Sequence, residues 1–263
     1  MTRSAYYQWL HRKPSQRDLE NQEISKVLVL LHQKYPTLGI DPLYHMIKPI
    51  FHCGRQRVWK IKKALGIVSI RKRKYKATTN ATHSYPIAPN LVKRQFRPCA
   101  PNKIGVTDIT YVPTDEGWLY VVCFKDLFTK KVVGYAFSDR MTTALVNEAL
   151  LMAVGRYQPP RGLMIHSDRR IQYASHKFRS LLNLYGFQQS MSRKGNPYDH
   201  AVAERFFSCL KCESVHLQRF LTRKQAMTEI FRYIETFYNT VRPHSAIGWL
   251  APQVFEENFY FAS

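Results

Sequence analysis

Acidic residues are scarce in this chain. Its 263 residues hold 18 Asp and Glu against 40 Lys and Arg, a net charge of +22. Such an imbalance bears on partners rather than on fold. Cationic side chains neutralise backbone phosphates and release counterions, so the expected partner is DNA or RNA. Long apolar runs are missing as well. No uninterrupted stretch approaches the roughly 20 residues that a bilayer-spanning helix needs, so a helical membrane protein is excluded. Cysteines are few and odd in number: Cys53, Cys99, Cys123, Cys209 and Cys212. With no signal peptide ahead of them, a reducing cytoplasm is expected. Cys209 and Cys212 form a CxxC, but no second pair lies at zinc-ligand spacing, so they read as ordinary residues about one turn apart on a helix. A nucleotide-binding P-loop, a dinucleotide-binding fingerprint and a serine-hydrolase elbow are also absent.

What is present suffices for one large core and a smaller satellite, since 45% of residues are hydrophobic and 13% aromatic. Residues 1–68 read as an N-terminal helical region. Ile24, Val27, Leu28 and Leu31 recur at helical spacing until Pro36 and Gly39, a short segment follows around Leu43–Ile47, and a further helix spans Arg55 to Leu65. The outer face of that last helix carries Arg55, Arg57 and Lys60, which fits a DNA-binding helix-turn-helix. A small helical bundle with a solvated basic face fits equally. Residues 69–102 read as a basic linker, with Arg71, Lys72, Arg73 and Lys74 in a dense run that is either solvated or in contact with nucleic acid.

From residue 103 to 263 the texture changes. Ile104–Val112, Trp118–Lys125 and Lys130–Phe137 are β-rich runs joined by short polar turns, which predicts a three-stranded meander. A mostly apolar helix over Thr142–Gly155 and a short buried strand at Leu163–His166 follow. Ser175 is placed to cap a helix bearing Phe178, Leu181, Leu182 and Tyr185, ahead of a fifth strand near Phe187–Ser192. Asn196 and Pro197 read as the start of the next helix, and Thr222 with Gln225 as a capping box for another, with Met227, Ile230, Phe231, Ile234 and Tyr238 inward. The order implies an α/β fold with a mixed sheet.

Three acids in this region are poorly explained by folding alone. Asp108 interrupts a strand, where Asp is depleted and rarely buried unpaired. The alternatives are an edge position facing water or an ion pair with one of the many bases. Asp168 lies just past the carboxyl end of a short strand, where ligand sites gather in α/β sheets, although a turn-starting Asp is the plainer reading. Glu204 sits in a helix among Ala201, Val202, Ala203, Phe206 and Phe207; a surface Glu is the usual case in helices, but these apolar flanks argue that it points inward or to a cleft rim. Between Asp168 and Glu204 lie 35 residues. Clustered hard oxygens bind Mg²⁺ or Mn²⁺, and two such ions can clamp a phosphodiester for in-line attack. His166, Arg193 and Lys194 are further candidates for contact with DNA. A strand-end histidine with a local partner and a solvated loop are their respective alternatives.

The words around these acids resemble a known family. Val106-Thr-Asp108-Ile-Thr-Tyr111, Ile165-His-Ser-Asp168-Arg, Gln172-Tyr-Ala and Ser192-Arg-Lys-Gly-Asn-Pro-Tyr-Asp-His-Ala-Val-Ala-Glu204 are similar to bacterial insertion-sequence transposases of the second-reading-frame type. So are Asp126-Leu-Phe-Thr-Lys-Lys-Val-Val-Gly134 and Tyr238-Asn-Thr-Val-Arg242-Pro-His244. The resemblance implies an RNase H-like, retroviral-integrase-like core with a mixed five-stranded sheet flanked by helices. It also implies Asp108, Asp168 and Glu204 as a catalytic triad holding two Mg²⁺ (or Mn²⁺) ions, and DNA strand cleavage followed by strand transfer. A homo-oligomer on DNA, a location in the bacterial cytoplasm at the nucleoid, and a helix-turn-helix and leucine-zipper partner from the first frame complete the expectation. The sequence departs from the family pattern at Gly105, Arg170, His200 and Arg205, where Trp, Gly, Asn and Ser are usual. Those departures leave two alternatives in view: a DNA-binding protein that has lost its chemistry, and a metal-dependent nuclease that cuts without joining.

Overall fold

The computed structural model describes residues 2–11, 13–70, 85–93, 95–193 and 201–262. The chain divides into two compact units, Met1–Arg71 and Lys72–Ser263. The smaller unit contains α1 (Arg3–Leu10), α2 (Gln16–Lys34), α3 (Ile40–Ile47) and α4 (Arg55–Ala64). Ser15 starts α2 with a capping box: its Oγ accepts the Asp18 amide at 3.2 Å, and the Asp18 carboxylate accepts the Ser15 amide at 3.1 Å. Helices α2, α3 and α4 pack on one another around Ile24, Leu28, Leu43, Ile47 and Val58, all without exposed surface. Arg57 corrects the sequence reading. Its guanidinium donates to Asn21 Oδ1 at 2.8 Å, to Glu20 Oε2 at 2.9 Å and to the Arg17 carbonyl at 3.1 Å. With its donors engaged on α2, it fastens α4 to α2 instead of facing DNA. Arg55 is exposed and paired with Asp41, and Lys60 is exposed.

The larger unit is built on a mixed five-stranded sheet flanked by helices, in strand order β3-β2-β1-β4-β5. β1 (Ile104–Thr114), β2 (Gly117–Asp126) and β3 (Val132–Ser138) form the antiparallel meander. The β1–β2 turn is tight because Gly117 adopts φ +105°, a conformation that other residues resist. β4 (Met164–Ser167) lies parallel to β1, and β5 (Gln188–Met191) parallel to β4. Side-chain alternation along the strands gives the sheet two apolar faces. Ile109, Val122 and Phe124 pack with α5 (Thr143–Tyr157) and α7 (His176–Tyr185). Val112, Val121 and Cys123 pack with α8 (Ala201–Glu213) and α9 (Arg223–Arg232). Burial on both strand faces explains the near-continuous apolar character of β2. At Gly134 helix α5 approaches β3 so closely that a Cβ would lie 2.3 Å from the Ala149 carbonyl oxygen.

The local signals appear where expected. Ser175 Oγ accepts the Phe178 amide at 3.3 Å, and Thr222 with Gln225 forms the capping box of α9. The Asn196–Pro197 start of α8 lies outside the described residues, as do Arg71, Lys72, Arg73, Lys74 and Lys194. Phe231 is not inward but about half exposed, on the outer side of α9 beside the buried Ile230. After α9 the helix widens over Tyr233–Tyr238, and the Asn239 amide reaches the Ile234 carbonyl. There Asn239 pins the chain to the β3 edge, accepting from the Val132 amide at 2.9 Å and donating to its carbonyl at 3.0 Å. The segment read as the end of a linker is part of this unit. Val92 is buried, Ala88 packs on the core, and the Pro89 carbonyl accepts the Met191 amide of β5. An edge strand left open exposes unpaired backbone groups, and this segment covers it. The unit ends in α10 (Pro252–Phe261). Among the described residues no helix is long and apolar enough to cross a membrane.

Candidate active site

β4 pairs with β1 only as far as Val106 opposite His166, and beyond that point no strand among the described residues pairs with this edge of β1. Ile109 lies on this stretch. Its amide donates to Asp108 Oδ1 at 2.7 Å, and its carbonyl accepts from Arg170 Nη1 at 2.5 Å. Asp108 is only 7% exposed and lies on the same sheet face as Val106 and Val112, opposite Cys123 on β2. Burial, and then the Asp108 charge, pushes the Cys123 thiol well above its usual range. The acid in this strand is therefore not an edge residue facing water.

Asp168 follows β4 directly. Its Oδ1 accepts the Arg170 amide at 3.0 Å, a short local turn that leads into α6 (Ile171–Ala174). The Arg170 side chain then turns back between the two aspartates. Nε lies 3.1 Å from Asp168 Oδ2, and Nη1 lies 3.2 Å from Asp108 Oδ1. Burial opposes the guanidinium charge, but Asp168 and Asp108 more than offset it, so the net shift of Arg170 is upward. Tyr173 feels the same field. Its buried hydroxyl bonds Thr107 Oγ1 at 3.0 Å, and burial followed by the charges of Asp108 and Asp168 holds it well above the usual phenol range.

Helix α8 covers the sheet face that carries Asp108. Ala203 packs with Val106 and Leu127, and further along the helix Lys211 sits 5.0 Å over the Tyr111 ring. Burial lowers the Lys211 ammonium, while Tyr111 and Asp108 act to hold it up. Glu204 is next to Ala203 and exposed. Among the described residues, no three His, Cys, Asp or Glu side chains are grouped to hold a metal ion. Two of the three acids singled out in the sequence are thus joined, through one guanidinium, and the third lies on the helix that crosses the face of its neighbour.

Other candidates land elsewhere. His166 has no exposed surface; its Nδ1 is 2.9 Å from Ser190 Oγ, which also accepts the Leu91 amide at 3.0 Å. Its role is to tie β4 to β5 and the preceding segment, and a side chain so enclosed has no surface to offer DNA. Arg193 is exposed. Arg242 and His244 are structural: Arg242 forks onto Glu213 with bonds of 2.7 and 2.6 Å, and His244 packs against Tyr238 at 4.7 Å between centroids. Sequence reasoning missed Tyr173, Thr107 and Lys211 as neighbours of the acids, and no local signal marks them. It also missed Lys125, a buried β2 lysine whose ammonium is pushed down to about 7 by burial and then by Lys130. The signal for Lys125 was available in sequence as a lysine inside an apolar strand.

Comparison with known proteins is consistent across the chain. An integrase core domain family model matches residues 98–197, and a second integrase core domain model matches residues 185–252. The insertion element IS600 uncharacterized 31 kDa protein of Shigella sonnei is 40% identical over 262 residues, covering 99% of this chain and 96% of that one. The transposase for insertion sequence element IS904 of Lactococcus lactis is 39% identical over 253 residues, covering 94% of this chain and 99% of that one. Among solved structures, a chain of the simian T-cell lymphotropic virus intasome in complex with PP2A regulatory subunit B56 gamma matches 81% of this chain and 73% of its own. Its TM-score is 0.52 at 18% identity, a likeness of fold alone. With relatives matching nearly end to end, the chain belongs to the insertion-sequence transposases with an integrase core domain, DNA-acting enzymes of the polynucleotidyl transferase class.

Proposed function

We propose that Asp108, Asp168 and Glu204 form the metal-holding centre of a DNA strand transferase, with two Mg²⁺ (or Mn²⁺) ions as its cofactors. The observation that carries this reading is that Asp108 and Asp168, distant in sequence, already share one cation. Their chemistry fits a divalent ion, because hard carboxylate oxygens are its preferred ligands. When bound, such ions supply positive charge to the transferring phosphoryl group and acidify the attacking hydroxyl.

The chain's own residues set the geometry. The Ile109 amide holds the Asp108 carboxylate, and the Arg170 amide holds that of Asp168, so both ligands are oriented by backbone donors. Glu204 is carried on α8, which packs on β1 beside Val106. In the first step water attacks a phosphodiester at the element end, forming a P–O bond and releasing a 3′-hydroxyl. In the second, that hydroxyl attacks another phosphodiester, a new P–O bond forms, and the former 3′ oxygen of the target leaves. The alternatives of a chemically inert DNA-binding protein and of a nuclease that does not join are disfavoured by the transposase relative.

DNA is the partner, gripped by the basic surface of a +22 chain. We assign the region 1–68, with Arg55 and Lys60 exposed, to DNA contact, the basic run Arg71–Lys74 to a following arm, and residues 103–263 to catalysis. Arg193 is exposed, and we assign it, with Lys194 beside it in sequence, to contact with DNA. Two element ends must be brought together, so the working form is a homo-oligomer on DNA in the cytoplasm, with a first-frame product as partner or fusion. A pre-cut element-end duplex incubated with plasmid and Mg²⁺ or Mn²⁺ tests the chemistry. Joined products are expected. Cutting without joining would leave only a nuclease, and salt-sensitive binding without any product would leave only a DNA-binding protein.

A further inference from the structure

We propose that Arg170 is a resident counter-cation of the catalytic centre, competing with divalent metal for Asp108 and Asp168 and so setting how tightly this chain binds metal. The inference rests on the metal-holding role assigned above to these aspartates. The Arg170 guanidinium lies 3.2 Å from Asp108 Oδ1 and 3.1 Å from Asp168 Oδ2, and it also donates to the Ile109 carbonyl of β1. It therefore spans the gap between the two carboxylates in a site where Asp108 is nearly buried. A divalent ion bound by both aspartates needs the same sector, with its oxygens at roughly 2.0–2.6 Å. Two cations cannot share that sector in a desolvated pocket without strong repulsion. Metal entry must then displace the guanidinium from both carboxylates.

The local geometry makes such displacement practicable. Asp168 is held by the Arg170 backbone amide as well as by its side chain, so the carboxylate keeps its orientation when the guanidinium leaves. The long arginine side chain swings about its own torsions and does not require β1 or β4 to move. In the metal-free protein the same guanidinium offsets the repulsion between two carboxylates and satisfies the Ile109 backbone carbonyl. Residue 170 thus trades metal affinity against the order of the empty centre. Giving up the hydrogen bond to Asp108 and the ion pair with Asp168 on metal entry should weaken binding by about tenfold or more.

The test is Mn²⁺ binding to the full chain without DNA, read from the electron paramagnetic resonance signal of free Mn²⁺, together with melting temperature with and without Mn²⁺. Wild type is compared with Arg170→Gln, Arg170→Gly and Arg170→Lys. The Gln and Gly variants are expected to bind Mn²⁺ about tenfold more tightly than wild type, to melt lower without metal, and to gain more from it. Lys should fall between. Gln keeps side-chain length and amide donors, so it decides the matter if the Gly variant fails to fold. Wild-type affinity within twofold of the Gln variant, or tighter, would remove the competition and leave the metal-site reading standing. If no cooperatively melting variant, wild type included, binds Mn²⁺, the metal-site reading falls and this inference falls with it.

Discussion

Among the arginines that hold carboxylates in the larger unit, Arg242 and Arg170 do so in opposite ways. Arg242 meets one partner, Glu213, through two bonds of a planar fork, and the Tyr233 hydroxyl donates to the same carboxylate at 2.8 Å. The pair is mostly buried and neutral in sum. Burial opposes the Arg242 charge, but the Glu213 bond outweighs it and drives the group further up than usual. Arg170 instead meets two carboxylates with single contacts. One guanidinium is divided between two carboxylates rather than forked onto one. The first arrangement holds structure together, while the second links the two aspartates of the proposed metal centre. The contrast teaches that an arginine among acids is informative only once its partners are traced.

Removing a carboxylate from each cluster should separate the two roles. Asp108→Asn is expected to lower strand joining at least about a thousandfold, roughly 4 kcal/mol of barrier at about 1.4 kcal/mol per tenfold, while stability changes by about 1 kcal/mol or less. Joining assays and denaturant unfolding on the same preparation check this. Glu213→Gln should do the reverse, costing about 3–5 kcal/mol of stability because Arg242 is left buried with an uncompensated charge. If the two variants behave alike, the contrast collapses. A smaller effect belongs to His244, whose imidazole is pushed down to about 2 by burial, then by Arg242 and Lys125. The folded protein refuses a proton that the unfolded chain takes up below about 6.5. Stability should therefore fall as pH drops from 6.5 toward 2, by at most about 1.4 kcal/mol per unit for this one group. Urea unfolding at pH 7, 6 and 5 should show a shallower decline for His244→Gln than for wild type.

What the sequence made legible was local or strongly patterned. The meander, the Ser175 cap and the Thr222–Gln225 box rest on neighbours a few residues apart, and the structure shows each of them. Asp108 was legible because an acid in an apolar strand conflicts with its setting. Pairings across the chain were not. Nothing within a few residues of Arg57 announces Glu20 and Asn21, and nothing near His166 announces Ser190. The segment before residue 103 looked like a linker because its partner is the backbone of an edge strand, which no side-chain pattern encodes. Arg170 stood out as an unusual residue beside an acid, but its reach to Asp108 depends on the parallel pairing of β1 with β4.

The central claim is that Asp108, Asp168 and Glu204 bind shared divalent ions when DNA is in place. A crystal structure of the chain on an element-end duplex with Mn²⁺, located by anomalous scattering, tests it most directly. The account predicts manganese peaks with oxygens of all three residues within roughly 2.0–2.6 Å, and the Arg170 guanidinium withdrawn. Peaks ligated without Glu204, or a DNA-bound centre in which Arg170 still bridges the two aspartates and no metal is bound, would contradict it.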